Sequence, residues 1–231
     1  NIAQPFKSSG MMLTCRKDMG VNSTDDLKGK TLGVWFYGNE YPFLSWMSRL
    51  GLATDGSANG VTVLKQGWGV EPLTEGQAAC VSTMSYNEYW VVRDAGYTPE
   101  QLTVFKYQAE GASTLEDGLY VLEKNLGDDS FKDKMVRFVR ASMKGWKYAE
   151  ANPKEAASII LDNDDAGVQT EKHQIRMMGE IAKLTAGSNG SLDPSDYERT
   201  VKVLMSGASD PVITKEPSGA WTHDITNAAL N

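Results

Sequence analysis

The chain has 231 residues, of which 41% are hydrophobic and 23% charged, and its formal net charge is −7. This composition is ordinary for a globular protein, and the length allows one large domain or two smaller lobes. The negative charge argues against a nucleic-acid partner, because phosphate backbones require clustered Lys and Arg side chains. No apolar run approaches the ~20 residues that span a bilayer, so we expect no transmembrane helix.

The first half of the chain alternates between strands and helices. Short apolar and β-branched runs predict five strands, at 10–18, 30–36, 60–67, 80–84 and 102–107. Helices are predicted between them, and in the helix that follows Gly38 the spacing of Phe43, Trp46, Met47 and Leu50 indicates one buried face. Alternation of this kind predicts an α/β lobe with a largely parallel sheet.

The second half, from about Asp128, is predicted to be mostly helical. A long amphipathic pattern ends near Pro153, because proline cannot continue a helix. Three further helices follow, the second capped by Thr170, whose hydroxyl suits a helix N-terminus. Their segments are 153–164, 170–187 and 193–209.

The chemistry of catalysis and of metal binding is poorly represented. The sequence has no nucleophile elbow, no phosphate-binding glycine motif and no metal-ligand spacing around its two histidines, so we expect no catalytic residues, no metal and no cofactor. Cys15 and Cys80 are compatible with a disulfide and, equally, with two buried free thiols.

Three predicted strand ends carry aromatic rings beside polar groups: YGNEY at 37–41, QGWG at 66–69 and SYNEYW at 85–90. Ligands of open parallel sheets bind outside the carboxyl ends of the strands. Rings stack on Tyr or Trp with a gain of roughly 0.5–1.5 kcal/mol beyond area burial, and carboxylates form charge-assisted hydrogen bonds. The predicted ligand-binding residues are Ser9, Asn39, Glu40, Tyr41, Trp68, Tyr86, Asn87 and Glu88.

A structural interpretation of the same residues stays open. In that interpretation, Trp68 and Trp90 pack in the core, and Glu40 and Glu88 are first-turn helix residues. Tyr89 and Trp90 lie one turn into a predicted helix and fit the core better than the other aromatic residues do.

Three long segments resemble the NMT1/THI5-like group of ABC-importer substrate-binding proteins, which includes binders of thiamine pyrimidine precursors, alkanesulfonates and taurine. They are NSTDDLKGKTLGVWFYGNEYPFLSWMSRLGL (22–52), EPLTEGQAACVSTMSYNEYWVVRDAGY (71–97) and VRFVRASMKGWKYAEANPKEAA (136–157). The second segment departs from the family pattern, since Ala79 and Cys80 stand where an Asp-Ala pair is usual.

The resemblance implies a two-lobed, type II periplasmic-binding-protein-like fold that closes on a solute. Residues 1–12 are expected to be the remainder of lobe 1 and a hinge, 13–108 to form lobe 2, and 109–231 to return through the hinge as a mostly helical part packing on lobe 1. An N-terminal half-lobe with a secretion signal is expected ahead of Asn1. The implied protein is a monomer, periplasmic or lipid-anchored outside the cytoplasm, whose partners are a small-molecule ligand and the transmembrane subunits of an ABC permease.

The resemblance also suggests the ligand. The branch that binds aminopyrimidines is similar in having aromatic, Asn and Glu residues at this strand end, as in Tyr86-Asn87-Glu88, and a carboxylate suits the amidine-like edge of an aminopyrimidine. We expect Trp68, Tyr86 and Tyr41 to stack on the ring, and Glu88, Asn87 and Asn39 to orient it.

Two alternatives remain. A sulfonate binder would use backbone N–H groups and hydroxyls at a helix N-terminus, which Gly38-Asn39 and Ser8-Ser9 could supply. A THI5-like pyrimidine-synthesis enzyme is the weaker alternative, because the Cys-rich metal motif of those enzymes has no counterpart here.

Overall fold

The computed structural model describes residues 1–206 and 211–230, which form two compact units. The sheet unit comprises Gly10–Thr114 and Arg199–Glu216. The helical unit comprises Asn1–Ser9, Leu115–Glu198 and Pro217–Asn231.

All five predicted strands are present in the sheet unit, with shorter bounds than the sequence patterns indicate. They form one sheet in the order β3-β2-β4-β1-β5. The strands are β1 (Met11–Arg16), β2 (Thr31–Val34), β3 (Thr62–Lys65), β4 (Cys80–Met84) and β5 (Leu102–Lys106).

Four of the five strands run in one direction and β1 alone runs in the other. Strand β2 is parallel to β3 and β4, whereas β1 is antiparallel to β4 and β5. The α/β class is confirmed. The sheet was predicted to be largely parallel, and it contains both parallel and antiparallel strand pairs. The reason is the point of entry: the chain enters the unit at Gly10, whose carbonyl accepts a hydrogen bond from Ser85 N–H (2.8 Å) just past the end of β4.

Helix α1 (Glu40–Arg49) packs its apolar face on the sheet, as its spacing predicts. Phe43, Trp46 and Met47 are buried, and the Trp46 ring lies 5.5 Å from the ring of Phe105. Leu50 was expected on the same face and is exposed, because the helix ends at Arg49 and Leu50 is its C-cap. Two short helices complete this part of the unit, α2 (Glu71–Thr74) and α3 (Glu88–Asp94).

The helical unit contains α4 (Asp129–Ala151), α5 (Pro153–Asp162), α6 (Glu171–Thr185) and α8 (Asp224–Leu230). Helix α4 begins where the Asp128 carboxylate accepts the N–H groups of Ser130 and Phe131, a normal N-cap. The hydroxyl of Thr170 caps α6 as predicted, by accepting His173 N–H at 3.3 Å.

Helix α7 (Pro194–Met205) crosses from the helical unit into the sheet unit. It begins near the predicted position, and residues 207–209 of the predicted segment lie outside the described residues. Helix α8 was not predicted. The guanidinium of Arg140 donates to the carbonyls of Ala228 (3.0 Å) and Ala229 (2.9 Å), which are among the last carbonyls of that helix.

Cys15 and Cys80 form a disulfide, so the free-thiol alternative is excluded. The two residues face each other in the antiparallel register of β1 and β4, and both are fully buried. The bond therefore ties the end of β1 to the start of β4, across a sequence separation of 65 residues.

We predict that the double variant Cys15→Ala, Cys80→Ala is markedly less stable than the wild-type protein. Loss of a cross-link that closes a loop of this length costs about 4 kcal/mol in the chain-entropy model. Urea unfolding of both proteins without reductant measures the difference. Equal midpoints, or alkylation of both thiols in the unreduced wild-type protein, would show that the bond is not present.

Candidate ligand-binding site

The segments that follow β2, β3 and β4 lie along one edge of the sheet. Because these strands are parallel neighbours in the order β3-β2-β4, their carboxyl ends meet there. We call residues 35–41, 66–69 and 85–90 the carboxyl edge. It contains seven of the eight predicted site residues, and all seven belong to the sheet unit.

The side chain of Gln66 joins the segment after β3 to strand β4 beneath the surface. Its Oε1 accepts Ser82 N–H (2.8 Å), while its Nε2 donates to the carbonyls of Ser82 (3.0 Å) and Gly69 (3.1 Å). The pairing of β2 with β4 stops at Gly33 and Val81, so the amide of Gln66 takes over where the strands part. A β-carbon at Gly33 would lie 3.2 Å from Gln66 Oε1 and 3.0 Å from Val81 Cγ1, so glycine leaves the room that this amide occupies.

The segment after β2 is an exposed turn that leads into α1. Tyr37 has a φ of 64°, which is unusual for a residue with a β-carbon, and its ring is 91% exposed. The Asn39 amide donates to the Phe36 carbonyl (3.3 Å), and the Glu40 carboxylate accepts Gly38 N–H (2.7 Å). Asn39 and Glu40 therefore shape this turn, and both are at its surface.

The segment after β3 presents a tryptophan to solvent. Trp68 is 96% exposed, which rules out the core interpretation of this residue. The indole N–H of Trp35 donates to the Gly67 carbonyl (2.9 Å) and so fixes the loop that bears Trp68. Tyr41, in the first turn of α1, is half-buried.

The segment after β4 is organised by Glu88, the first residue of α3. One carboxylate oxygen accepts Met84 N–H (2.9 Å), and the other accepts the side-chain amide of Asn87 (2.8 Å). Trp90 donates its indole N–H to the Ser85 carbonyl (3.1 Å) and lies against the ring of Tyr89, at 5.3 Å between centroids. Tyr89 packs against the apolar cluster that contains Val81 and Val92, as the core interpretation of that residue expects.

Burial raises the pKa of the Glu88 carboxyl above its ordinary value of 4.5, and this effect outweighs the N–H donors that favour the charged form. A raised pKa in the folded state means that the contribution of Glu88 to stability is greatest below pH 4.5 and is lost as the pH rises through the folded-state pKa. At neutral pH the half-buried, charged carboxylate therefore lowers the stability of the folded protein.

Ser9 is the predicted site residue that lies in the other unit. Its hydroxyl donates to the carboxylate of Glu116, and both residues belong to the helical unit. Tyr86, like Asn87 and Glu88, is half-buried at the carboxyl edge.

Sequence patterns did not single out three residues that define this edge: Gly33, Tyr37 and Gln66. Gln66 and Tyr37 lie within two of the three quoted clusters, but their roles depend on a cross-strand amide and on a left-handed backbone angle. A glutamine directly after a strand, facing a glycine in its neighbour, is the signal that could have identified the first of these roles.

Two absences hold for residues 1–206 and 211–230. No group of three or more His, Cys, Asp or Glu side chains is arranged to hold a metal ion. None of the described helices combines the length and apolar character needed to cross a membrane.

An α/β unit whose parallel strand ends converge on exposed rings, amides and a half-buried carboxylate has the features of a small-molecule-binding protein. The family model described as NMT1/THI5 like matches residues 1–156. The chain therefore belongs to the NMT1/THI5-like family, as the sequence resemblance indicates.

Two solved structures with low sequence identity are similar to the chain. A protein from Bordetella bronchiseptica RB50 is 15% identical, with a TM-score of 0.58 over 99% of this chain and 73% of that one. A putative sulfonate ABC transporter, periplasmic sulfonate-binding protein SsuA from Methylobacillus flagellatus KT, is 14% identical, with a TM-score of 0.48 over 96% and 71%. No curated protein matches the chain. At these identities the first similarity speaks for the fold alone.

We predict that Gln66→Ala lowers the free energy of unfolding by about 2–4 kcal/mol, because it leaves the buried N–H and C=O of Ser82 without these partners. Urea unfolding measures the change. The matched control is Gln77→Ala, which removes an exposed amide that donates to Glu75 (2.8 Å) and should change stability little. Equal stability of the two variants would contradict the bridging role of Gln66.

Proposed function

We propose that the protein is the solute-binding component of an ABC importer, and that it captures a small planar nitrogen heterocycle, pyrimidine-like, at the carboxyl edge. Membership of the NMT1/THI5-like family supports the general role. The observation that carries the ligand proposal is the Glu88 carboxyl, half-buried beside aromatic side chains at the ends of parallel strands.

The hydrogen-bonding capacity of Glu88 suits an aminopyrimidine. Its oxygens accept the N–H of Met84 and the side-chain amide of Asn87, and because a carboxylate has about four lone pairs, acceptor capacity remains for a ligand. An exocyclic amino group can donate to one of these oxygens.

The aromatic side chains of the edge supply flat surfaces for a ring. A Trp68 side chain that is 96% exposed contributes little to the core, and its surface is available for stacking. Stacking contributes about 0.5–1.5 kcal/mol beyond the area buried, and Tyr86 and Tyr41 offer two further rings. In this proposal Asn39 and Asn87 orient the ligand, and Glu40 is a secondary contact.

The disulfide supports an extracytoplasmic location, either periplasmic or lipid-anchored. Disulfides form and persist in oxidising compartments and are rare in the cytosol, and the Cys15–Cys80 bond is buried within the sheet. The proposed partners are the small-molecule ligand and the transmembrane subunits of a permease, and the protein would deliver its ligand as a monomer. The sheet unit would serve as one lobe of the binding protein.

The test is calorimetric titration with the neutral hydroxymethyl-aminopyrimidine precursor of thiamine. We predict that Glu88→Gln weakens binding by more than about tenfold, because a hydrogen bond to a charged or buried carboxyl contributes about 1.5–3 kcal/mol. The matched control is Glu75→Gln, an exposed carboxylate that precedes β4 instead of following it, and its affinity should equal that of the wild-type protein.

Three results would overturn this assignment. Unchanged affinity of Glu88→Gln, with its melting temperature also measured, removes Glu88 from the site. Binding of taurine that is insensitive to Glu88→Gln but lost in Asn39→Ala supports the sulfonate alternative instead. Turnover of the pyrimidine by the purified protein supports an enzyme.

A further inference from the structure

A cation that the proposed ligand contacts leave unused stands directly before the segment 66–69 of the carboxyl edge. Lys65 is the last residue of β3, and its ammonium lies 4.7 Å from the centroid of the Tyr37 ring and 5.4 Å from that of Phe36. The same nitrogen is 3.4 Å from the Tyr37 hydroxyl. Lys65 is thus held by two rings of the neighbouring segment, and its charge remains exposed at the edge.

The backbone of Tyr37 is strained in the conformation that brings its ring to Lys65. A residue with a β-carbon pays about 1–2 kcal/mol in the left-handed region, and Tyr37 adopts a φ of 64°. Its ring is 91% exposed, so burial of the ring does not compensate this cost. Strain of this kind is concentrated at ligand-binding positions, where the geometry serves the ligand.

We infer that Lys65, clamped by Tyr37 and Phe36, binds an acidic group of the ligand, so that the solute is a heterocycle bearing a phosphate, carboxylate or sulfonate. This inference rests on the proposed function and adds a second recognition point to it. Lys65 has three ammonium donors, and contact with the rings fixes the direction in which they can reach an anion.

The spacing of the strand ends next to Lys65 and Glu88 is compatible with a single small ligand. Strands β3 and β4 are separated by β2, and neighbouring strands lie about 4.8 Å apart, so the ends of β3 and β4 are on the order of 10 Å apart. Lys65 ends the first of these strands and Glu88 follows the second. A ring whose amino edge faces Glu88 therefore places a short substituent near Lys65.

The arrangement of charges also sets the polarity of the ligand. Glu40 and Glu88 place carboxylates on the α1 and α3 sides of the edge, and the Glu40 carboxylate is engaged by Gly38 N–H. An acidic group is repelled near these carboxylates and attracted at Lys65. The ligand would thus be bound in one orientation, with its donor edge at Glu88 and its anion at Lys65.

The experiment compares two probes that differ only in one acidic group: the hydroxymethyl-aminopyrimidine precursor of thiamine and its monophosphate. We predict that the wild-type protein binds the monophosphate about tenfold more tightly, as one charge-assisted hydrogen bond provides. In Lys65→Met, whose aliphatic chain keeps contact with the two rings, the monophosphate should lose this advantage while the alcohol keeps its wild-type affinity.

Lys106→Met is the matched control. Lys106 is also an exposed lysine that ends a strand at this edge, but β5 lies at the opposite end of the sheet from β3. The preference of the Lys106→Met variant for the monophosphate should be unchanged. A second variant, Tyr37→Gly, keeps the left-handed backbone without strain and removes the ring, so its melting temperature should be maintained or raised while the preference is reduced.

The outcomes separate this inference from the proposed function. If the alcohol binds but the monophosphate binds no better, or if Lys65→Met and Lys106→Met behave alike, Lys65 is not an anion-binding residue and the proposed function stands. If neither probe binds the wild-type protein, the aminopyrimidine ligand is wrong and the inference falls with it.

Discussion

The amide of Gln66 is the contact on which the carboxyl edge depends. Gln66 is only 6% exposed. Its amide forms hydrogen bonds with the N–H and C=O of Ser82 in β4 and with the carbonyl of Gly69 in its own loop. Strands β2 and β4 part beyond Gly33, and without this side chain the gap would leave buried peptide groups without partners. The amide replaces a missing stretch of strand pairing and fixes the segment 66–69 to strand β4.

Strand β4 is secured at three successive points, each by a different kind of interaction. The disulfide fixes Cys80 at its start, the Gln66 amide fixes Ser82 at its centre, and the Glu88 carboxylate accepts the N–H of Met84 at its end. A strand held in this way positions the side chains that follow it with little freedom. Preorganisation of this kind lowers the ordering cost of binding, which is why polar recognition groups are effective on rigid elements. The same restraint requires Glu88 to remain half-buried, which raises the pKa of its carboxyl.

Sequence patterns predicted the secondary-structure elements well and the contacts between them poorly. The five strands follow from local runs of apolar residues, and the converging clusters at 37–41, 66–69 and 85–90 follow from strand order in an α/β protein. The direction of β1 could not be predicted, because it depends on where the chain enters the unit. Three features could not be predicted from hydrophobic periodicity. The disulfide and the Gln66 bridge join residues far apart in sequence, and the conformation of Tyr37 is a left-handed backbone angle. Exposure was misjudged at Leu50, which lies beyond the end of α1, whereas the exposure of Trp68 excludes only the alternative core interpretation of that residue.

The central claim is that three segments, far apart in sequence, form one ligand site. Hydrogen–deuterium exchange, with and without the hydroxymethyl-aminopyrimidine monophosphate at saturating concentration, tests this claim directly. The account predicts slower amide exchange in 35–41, 66–69 and 85–90 together, with 51–55 on the same sheet unit unchanged. Protection of only one of the three segments, or protection of 51–55 instead, would contradict it.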